Sequence, residues 1–306
     1  MEPQRITPEL TLIPLDQPTL RGFHTFISAW LYQGDVTFLV DPGPASTVPL
    51  LVQTLEKMNV TRLDALLLTH IHIDHAGGAG DFSRSFPDTP VVCHPKAVPH
   101  MADPERLWQG SLKTLGDTAR AYGQIQPVPE KNLVSSDDFA DLGVKVINTP
   151  GHAVHHISYL KDGVLFAGET GGVRYEVPGK GVWIRPATPP RFLMEISCGS
   201  MDALMETPHD IYCYGHYGAV RGAGASLLAA HKDQVLLWAQ IIEREMAVSS
   251  EDLEERCLKS LLAQDPGLRL HPHLPGDVKE REKGFMFNSI RGIAGYLRDR
   301  RNAAAQ

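Results

Sequence analysis

Residues 65–75 read ALLLTHIHIDH and place four potential metal ligands directly behind an apolar segment that predicts a short buried strand. In an extended segment, side chains two residues apart point to the same face. We therefore expect His70, His72 and Asp74 to converge, while the following turn brings His75 to a neighbouring point. Imidazole and carboxylate groups together suit zinc, iron or manganese. This stretch predicts a metal site at the end of a strand.

Three further apolar segments end in the same way, with a glycine and then a side chain that binds metals. The pairs Gly151-His152, Gly168-Glu169 and Gly215-His216 follow the apolar segments 144–147, 164–167 and 211–214. Sites in sheet proteins gather at the ends of strands. We expect these side chains to join the ligands at residues 70–75. The neighbouring His155 and His156 either orient a ligand or only pack in that loop.

The first 220 residues alternate short apolar runs with turn signals, which predicts an α/β (α+β) sandwich. From residue 224 onward, apolar residues recur at helical spacing and predict three helices. Ser249 and Asp252 resemble a capping box that opens the second helix. We predict a catalytic domain at 1–223 and a C-terminal helical region at 224–306. The stretch 171–190, rich in Gly and Pro, predicts a loop over the site.

The composition of this 306-residue chain limits its partners and its compartment. The net charge is 29 − 36 = −7 and no basic block occurs, which argues against nucleic acid. No apolar run reaches membrane-spanning length and no signal segment is visible, so we expect no membrane contact and a cytoplasmic location. The four cysteines form no CxxC pair and are expected to be free thiols. A small molecule is the expected partner, and a homo-oligomer is left open.

The HxHxDH motif at residues 70–75, the two Gly-His pairs and the acidic residue after a strand resemble the metallo-β-lactamase superfamily of metallohydrolases. The resemblance covers roughly residues 10–220. It includes the early strand and turn at 39–43 (LVDPG) and the helix start at Gly77-Gly78. It implies an αββα sandwich with the metal site at one edge of the two sheets. A C-terminal helical region is also found in the glyoxalase II-like branch of the family.

Carried over residue by residue, the resemblance implies two divalent metal ions, with zinc as the first choice and iron or manganese as alternatives. The implied ligands of the first ion are His70, His72 and His152, and those of the second are Asp74, His75 and His216. Glu169 stands where the family usually has a bridging aspartate. Because glutamate is one methylene longer, the bridge is expected to be shifted, monodentate or absent, and a site with one metal stays open.

The implied function is a metal-dependent hydrolase in which a metal-activated hydroxide attacks a small-molecule ester, thioester or related substrate. Asp74 is the expected catalytic residue, since it would bind metal and also orient the hydroxide or move its proton. Tyr217 and Tyr175 are expected to shape the substrate pocket. One alternative is a mononuclear-iron sulfur dioxygenase on the same fold, which the departure at Glu169 keeps open. Another is a nuclease, which the charge of −7 disfavours.

Overall fold

The computed structural model describes residues 2–139 and 142–304, in which strands and helices alternate. The strands are β1 Gln4–Arg5, β2 Leu10–Leu15, β3 Ile27–Gln33, β4 Thr37–Val40, β5 Ala65–Leu67, β6 Val91–Cys93, β7 Leu133–Ser135, β8 Lys145–Asn148, β9 Ile157–Lys161, β10 Val164–Phe166, β11 Val173–Val177, β12 Gly181–Arg185, β13 Ile211–Cys213 and β14 Ala219–Arg221. The α-helices are α1 Val48–Lys57, α2 Ile73–Ala76, α3 Ala79–Ser85, α4 Val98–Ala102, α5 Glu105–Leu115, α6 Asp117–Tyr122, α7 Met194–Met205, α8 Gly224–Val248, α9 Leu253–Gln264 and α10 Gly276–Ala304.

Two mixed sheets form the centre of the fold. The first sheet has the order β1-β2-β3-β4-β5-β6-β7, antiparallel as far as β4 and parallel from β4 to β7. The second has the order β14-β13-β10-β9-β8, and β10 and β13 pair in parallel. Because β4, β5 and β6 run parallel, the loops that follow them leave the first sheet at one edge.

Side chains that alternate along the strands separate the layers, since successive residues of a strand face opposite sides of its sheet. Trp30 and Phe38 of the first sheet meet Tyr159 and Phe166 of the second in an inner core. Residues on the opposite face of the first sheet pack against α1 and α3, and those of the second sheet pack against α7 and the C-terminal helices. The order of layers is helix, sheet, sheet, helix, which confirms the predicted αββα sandwich.

The C-terminal region is helical, as predicted, and its first helix α8 begins at Gly224. Its side chains do not form a separate core. Trp238 and Ile290 lie in one buried cluster with Leu165 and Tyr212 of the second sheet. The helices therefore cover the outer face of that sheet, and the division into domains at residues 223 and 224 stays a prediction.

Two local predictions are wrong. The stretch 171–190 is not a plain loop, because β11 and β12 pair in it as an antiparallel hairpin. Buried Val173, Val177 and Trp183 give this hairpin an apolar side, a pattern that the surrounding Gly and Pro residues conceal in the sequence. Ser249 and Asp252 form no capping box, since Asp252 has a left-handed backbone with φ +47° and its side chain makes no capping hydrogen bond.

The cysteines at positions 93, 198, 213 and 257 are buried and free, as the sequence predicted. Burial raises the pKa of Cys93 and of Cys257 to about 12, so both thiols stay protonated. In the two described ranges, every helix is too short or too polar to cross a membrane.

Candidate metal centre

The ligand-rich stretch leaves the first sheet at the end of β5 and enters α2 within a few residues. His70 is fully buried, and His72 is the last extended residue before the helix, with φ −64° and ψ 150°. Asp74 and His75 lie in the single turn of α2. His70 and His72 precede the helix, as the prediction of an extended segment requires. That prediction is wrong for Asp74, which lies in the helix and groups with His75 and His216.

Asp41, directly after β4, fixes this stretch. Its carboxylate accepts hydrogen bonds from the Thr69 backbone N–H at 2.8 Å and from the Thr69 hydroxyl at 2.6 Å. One of its oxygens also lies 3.1 Å from His75 Nδ1, which leaves His75 Nε2 free to face the site. Asp41 was not among the predicted site residues. The signal was present, because Asp41 also follows an apolar strand directly.

The second sheet supplies the remaining candidates from the segments after β8, β10 and β13. His152 Nδ1 lies 2.8 Å from the Ala187 carbonyl oxygen and His216 Nδ1 lies 3.2 Å from that of Phe26, so both Nε2 atoms are oriented inward. The ring of Phe26 also stacks on the His216 imidazole, with centroids 4.1 Å apart. Backbone carbonyls thus set the direction of both imidazoles.

The glycines before two of these candidates are required by close contacts. At Gly168, where φ is +55°, a Cβ would lie 2.5 Å from His156 Nε2. At Gly215, a Cβ would lie 2.6 Å from His75 Cε1. A side chain at either position would push a site histidine aside. His156 itself accepts a hydrogen bond from the Glu169 backbone N–H at 3.2 Å, so it holds the loop that carries Glu169.

The predicted ligands come together in two main groups. Potential ligand atoms of His70, His72, His152 and Glu169 lie within 4.8 Å of one another. Those of Asp74, His75 and His216 form a second group within the same limit. A third combination joins Asp41 to His70 and His75, and it overlaps the other two. All seven residues that the sequence singled out therefore lie in one site, and their roles as ligands stay a prediction.

Glu169 lies between the two groups. Its Oε2 is 2.9 Å from His152 Nε2 and 3.5 Å from His70 Nε2. Its Oε1 is 3.2 Å from His216 Nε2. The longer glutamate side chain thus reaches imidazoles of both groups with its two oxygens.

The charges of the site favour a bound cation. Burial lowers the pKa values of His70 and His72 well below the usual value, which keeps their lone pairs available. Burial also lowers the pKa of His75, but Asp74, Asp41 and Glu169 outweigh it and raise that pKa to about 9. For Glu169, burial raises the pKa, yet His152 and its neighbours leave it well below the ordinary value. The carboxylates create a negative potential that stabilises a proton or a metal ion.

The donor set fits a divalent metal. The Nε2 atoms of His70 and His75 are buried and have no hydrogen-bond partner within residues 2–139 and 142–304. A buried polar atom without a partner is costly, and an ion is one of the groups that supply the missing contact. Imidazoles with a few carboxylates match zinc, iron and manganese.

The two predicted substrate-binding residues contact each other. The rings of Tyr175 and Tyr217 meet edge to face, with centroids 4.9 Å apart. The Tyr217 hydroxyl accepts a hydrogen bond from Arg281 Nη1 at 2.6 Å, and the Arg281 guanidinium lies 4.1 Å from the centre of the Phe26 ring. Arg281 on α10 was not predicted, since nothing in the helical pattern distinguishes it from a surface arginine.

A sandwich of two sheets flanked by helices, with a histidine-rich site at the strand ends, defines an αββα metallohydrolase. The family model of the metallo-beta-lactamase superfamily matches residues 23–216. The chain belongs to this superfamily and is a hydrolase of the metallo-β-lactamase fold.

Similar proteins agree with this assignment. A probable metallo-hydrolase of Methanocaldococcus jannaschii is 26% identical over 163 residues, which cover 52% of this chain and 76% of that protein. A hydroxyacylglutathione hydrolase of Xanthomonas campestris is 28% identical over 240 residues, 76% of each chain. The crystal structure of a metallo-beta-lactamase superfamily protein from Sulfolobus tokodaii superimposes with a TM-score of 0.68 at 22% identity, covering 94% of this chain and 98% of that chain. The likeness in structure extends beyond the sandwich into the C-terminal helices.

Proposed function

We propose that the protein is a hydrolase that uses two divalent cations, with zinc as the first choice, to cleave a small-molecule ester or thioester. The observation that carries this proposal is the position of Glu169, whose two oxygens lie 2.9 Å from His152 Nε2 and 3.2 Å from His216 Nε2. One carboxylate thus reaches both ligand groups, as a bridge between two cations requires. The similarity to a hydroxyacylglutathione hydrolase supports the thioester class.

When bound, divalent cations supply an activated water and polarise a carbonyl oxygen. His70, His72 and His152 would hold one cation. The second would be held by Asp74, His75 and His216, with Glu169 shared. Asp74 is the least buried of its group, with 15% of its side chain exposed, so its carboxylate would be the one to accept a proton and pass it to solvent. Tyr175 packs on Tyr217, whose ring contacts the same Phe26 that stacks on His216, and this aromatic pair would direct the substrate toward the cations.

Metal analysis combined with a substrate panel tests this function. The purified protein is expected to contain two zinc ions per chain, and to hydrolyse esters or thioesters in a reaction that EDTA abolishes and zinc restores. One iron per chain with consumption of oxygen would replace the hydrolase proposal by the sulfur dioxygenase. Metal-dependent cleavage of RNA, with no turnover of esters or thioesters, would replace it by the nuclease.

A further inference from the structure

Arg281 on α10 is a buried cation with three contacts to the sandwich. Its exposed fraction is 6%, and an arginine is rarely buried so far unless it is paired. Its Nη1 donates to the Gly22 carbonyl oxygen and, at 2.6 Å, to the Tyr217 hydroxyl. Its guanidinium carbon lies 4.1 Å from the centre of the Phe26 ring. The neighbouring Glu282 pairs the charge, but it does not account for these three contacts.

One of these contacts reaches the candidate ligand His216 along the chain. Tyr217 is the next residue, and its backbone is left-handed, with φ +57°. A bulky side chain rarely adopts this conformation, which persists only where its surroundings hold it. The Tyr217 backbone N–H donates to the Phe26 carbonyl oxygen at 3.3 Å, and the same oxygen lies 3.2 Å from His216 Nδ1. The hydrogen bond from Arg281 therefore holds a strained residue directly beside the ligand.

A second contact reaches His216 through the Phe26 ring. This ring stacks on the His216 imidazole, with 4.1 Å between centroids and 18° between planes. It also contacts the Arg281 guanidinium, and a cation over an aromatic face is attracted to it. The hydrogen bond to Gly22 attaches Arg281 to the chain four residues before Phe26. Arg281 thus restrains both neighbours that set the direction of the His216 imidazole.

We propose that Arg281 is a positioning residue, which orients His216 as a ligand of the second cation through Phe26 and Tyr217. This inference rests on the proposed centre of two cations. It gives α10 a role at the site in addition to covering the second sheet. Binding of the second cation would then depend on how α10 packs against the sandwich.

The test compares Arg281→Met with the matched control Arg185→Met. Arg185 is also buried and also pairs with Glu282, but its guanidinium lies 5.1 Å from the centre of the Phe285 ring. Each variant removes one positive charge from the same buried group, so both should destabilise the fold. In a zinc titration of the full chain, Arg281→Met should bind the second cation about 10–100-fold more weakly than the parent. Arg185→Met should keep the parental affinity.

The sign of this effect separates orientation from charge. Loss of a positive charge near a cation site would by itself strengthen cation binding in either variant, because like charges repel. Weaker binding in Arg281→Met alone would therefore report a lost orientation of His216. An unchanged or stronger affinity in Arg281→Met, or an equal weakening in Arg185→Met, would overturn the role of Arg281.

Tyr217→Phe provides the test if Arg281→Met does not fold. It removes only the hydroxyl that accepts from Arg281, and it leaves the buried charges paired. Its affinity for the second cation should fall about tenfold. Tyr32→Phe is the control, since it removes a hydroxyl that donates to Asp162, at the opposite end of β9 from the site. A parental affinity in Tyr217→Phe would then overturn the role of Arg281.

These outcomes do not depend on hydrolysis, because the measured quantity is cation affinity. A parent that binds two zinc ions but cleaves neither esters nor thioesters would refute the proposed function and leave the test of Arg281 in force. If the parent binds fewer than two ions, imidazole NMR of the metal-free proteins replaces the titration. The parent and Arg185→Met should show a proton on His216 Nδ1 and ring protons shifted upfield by Phe26. Arg281→Met should lose both signals, and their retention would refute its role.

Discussion

At the residue scale, Glu169 reaches both groups of candidate ligands, at the position where the family resemblance implies an aspartate. The extra methylene lets one oxygen approach His152 at 2.9 Å and the other approach His216 at 3.2 Å. His156 holds the backbone of Glu169 from behind at 3.2 Å. The longer side chain thus lies with its two oxygens between the two groups of candidate ligands.

Replacing His72 by Ala is expected to remove activity and lower the metal content. Loss of a partner that only supports a ligand costs about 10–100-fold, and loss of a ligand should exceed that. Metal analysis and turnover of the most reactive substrate would measure both effects. His24→Ala is the matched control, because the His24 side chain is 80% exposed and pairs with Asp16. Unchanged metal content in His72→Ala would contradict the assignment.

The role of Glu169 as a bridge predicts opposite outcomes for two substitutions. Glu169→Gln should lose the cation of the Asp74 group preferentially, because two close cations repel each other and the neutral amide offsets this repulsion poorly. Glu169→Asp should keep both cations, since aspartate is the usual residue of the family. Zinc titration of the parent and both variants would measure how many cations each protein binds and how tightly. Equal stoichiometry and affinity in all three proteins would exclude Glu169 from the metal site.

At the scale of the elements, much of the site could be predicted because each candidate follows a short apolar strand. The strands β5, β10 and β13 lie where their apolar runs indicated, and their following residues meet at one edge. The hairpin β11–β12 could not be predicted from its Gly- and Pro-rich surroundings. Asp41 was missed although it carries the same signal, since it also follows an apolar strand directly. Arg281 was missed for a different reason, because its importance depends on what it contacts across the fold, which local pattern does not encode.

The link between β4 and α2 predicts an effect of Asp41→Asn on metal binding. The Asp41 carboxylate accepts from Thr69 and lies 3.1 Å from His75 Nδ1, and an amide cannot accept at both of its terminal atoms. The affinity for the cation of the His75 group should fall about 10–100-fold in a zinc titration.

The control for this variant is Asp64→Asn. Asp64 also accepts a backbone hydrogen bond, from Thr37 at 2.8 Å, but it lies before β5, at the opposite end of that strand from the site. The metal affinity of the Asp64→Asn variant should equal that of the parent. If Asp41→Asn and Asp64→Asn both kept the parental affinity, Asp41 would have no role in orienting His75.

At the scale of the whole molecule, α10 is joined to the sandwich by a buried group of charges. Glu282 accepts hydrogen bonds from Arg185 of β12 and from Arg281, whose Nε lies 2.9 Å away. Glu282 and Arg185 have exposed side-chain fractions of 0% and 3%. Arg185 lies in the stretch 171–190, which was predicted to be a loop, yet it is buried because β12 packs against α10. The C-terminal helices therefore contribute charge pairing as well as apolar contacts.

Removing Glu282 should destabilise the fold strongly. Glu282→Ala leaves two buried guanidinium groups without their carboxylate, which typically costs about 3–5 kcal/mol of unfolding free energy. Urea unfolding of the metal-free parent and variant at neutral pH would measure this loss of unfolding free energy. Asp202→Ala is the control, because Asp202 pairs with Lys232 at 2.6 Å on the surface and should cost less than about 1 kcal/mol. Similar losses in both variants would contradict the importance of the buried group.

The same carboxylate predicts a dependence of stability on pH. Burial raises the pKa of Glu282, but Arg185 and Arg281 outweigh it, so the folded pKa lies below the ordinary 4.5. The stabilisation is therefore complete above pH 4.5 and is lost as the pH falls from there through the folded pKa. In urea unfolding of the metal-free protein, the difference between parent and Glu282→Ala should shrink over this acidic range. A difference that stays constant would exclude this origin.

The candidate ligands come from both sheets, so the unfolding temperature would depend on the concentration of free cation. His70 and His75 follow a strand of the first sheet, whereas His152 and His216 follow strands of the second. A cation held by both would act as a crosslink that exists only in the native state. By mass action, free cation at 100 times its Kd would add about 2.7 kcal/mol to the free energy of unfolding. The temperature at which the molecule unfolds would then report the availability of the metal in its surroundings.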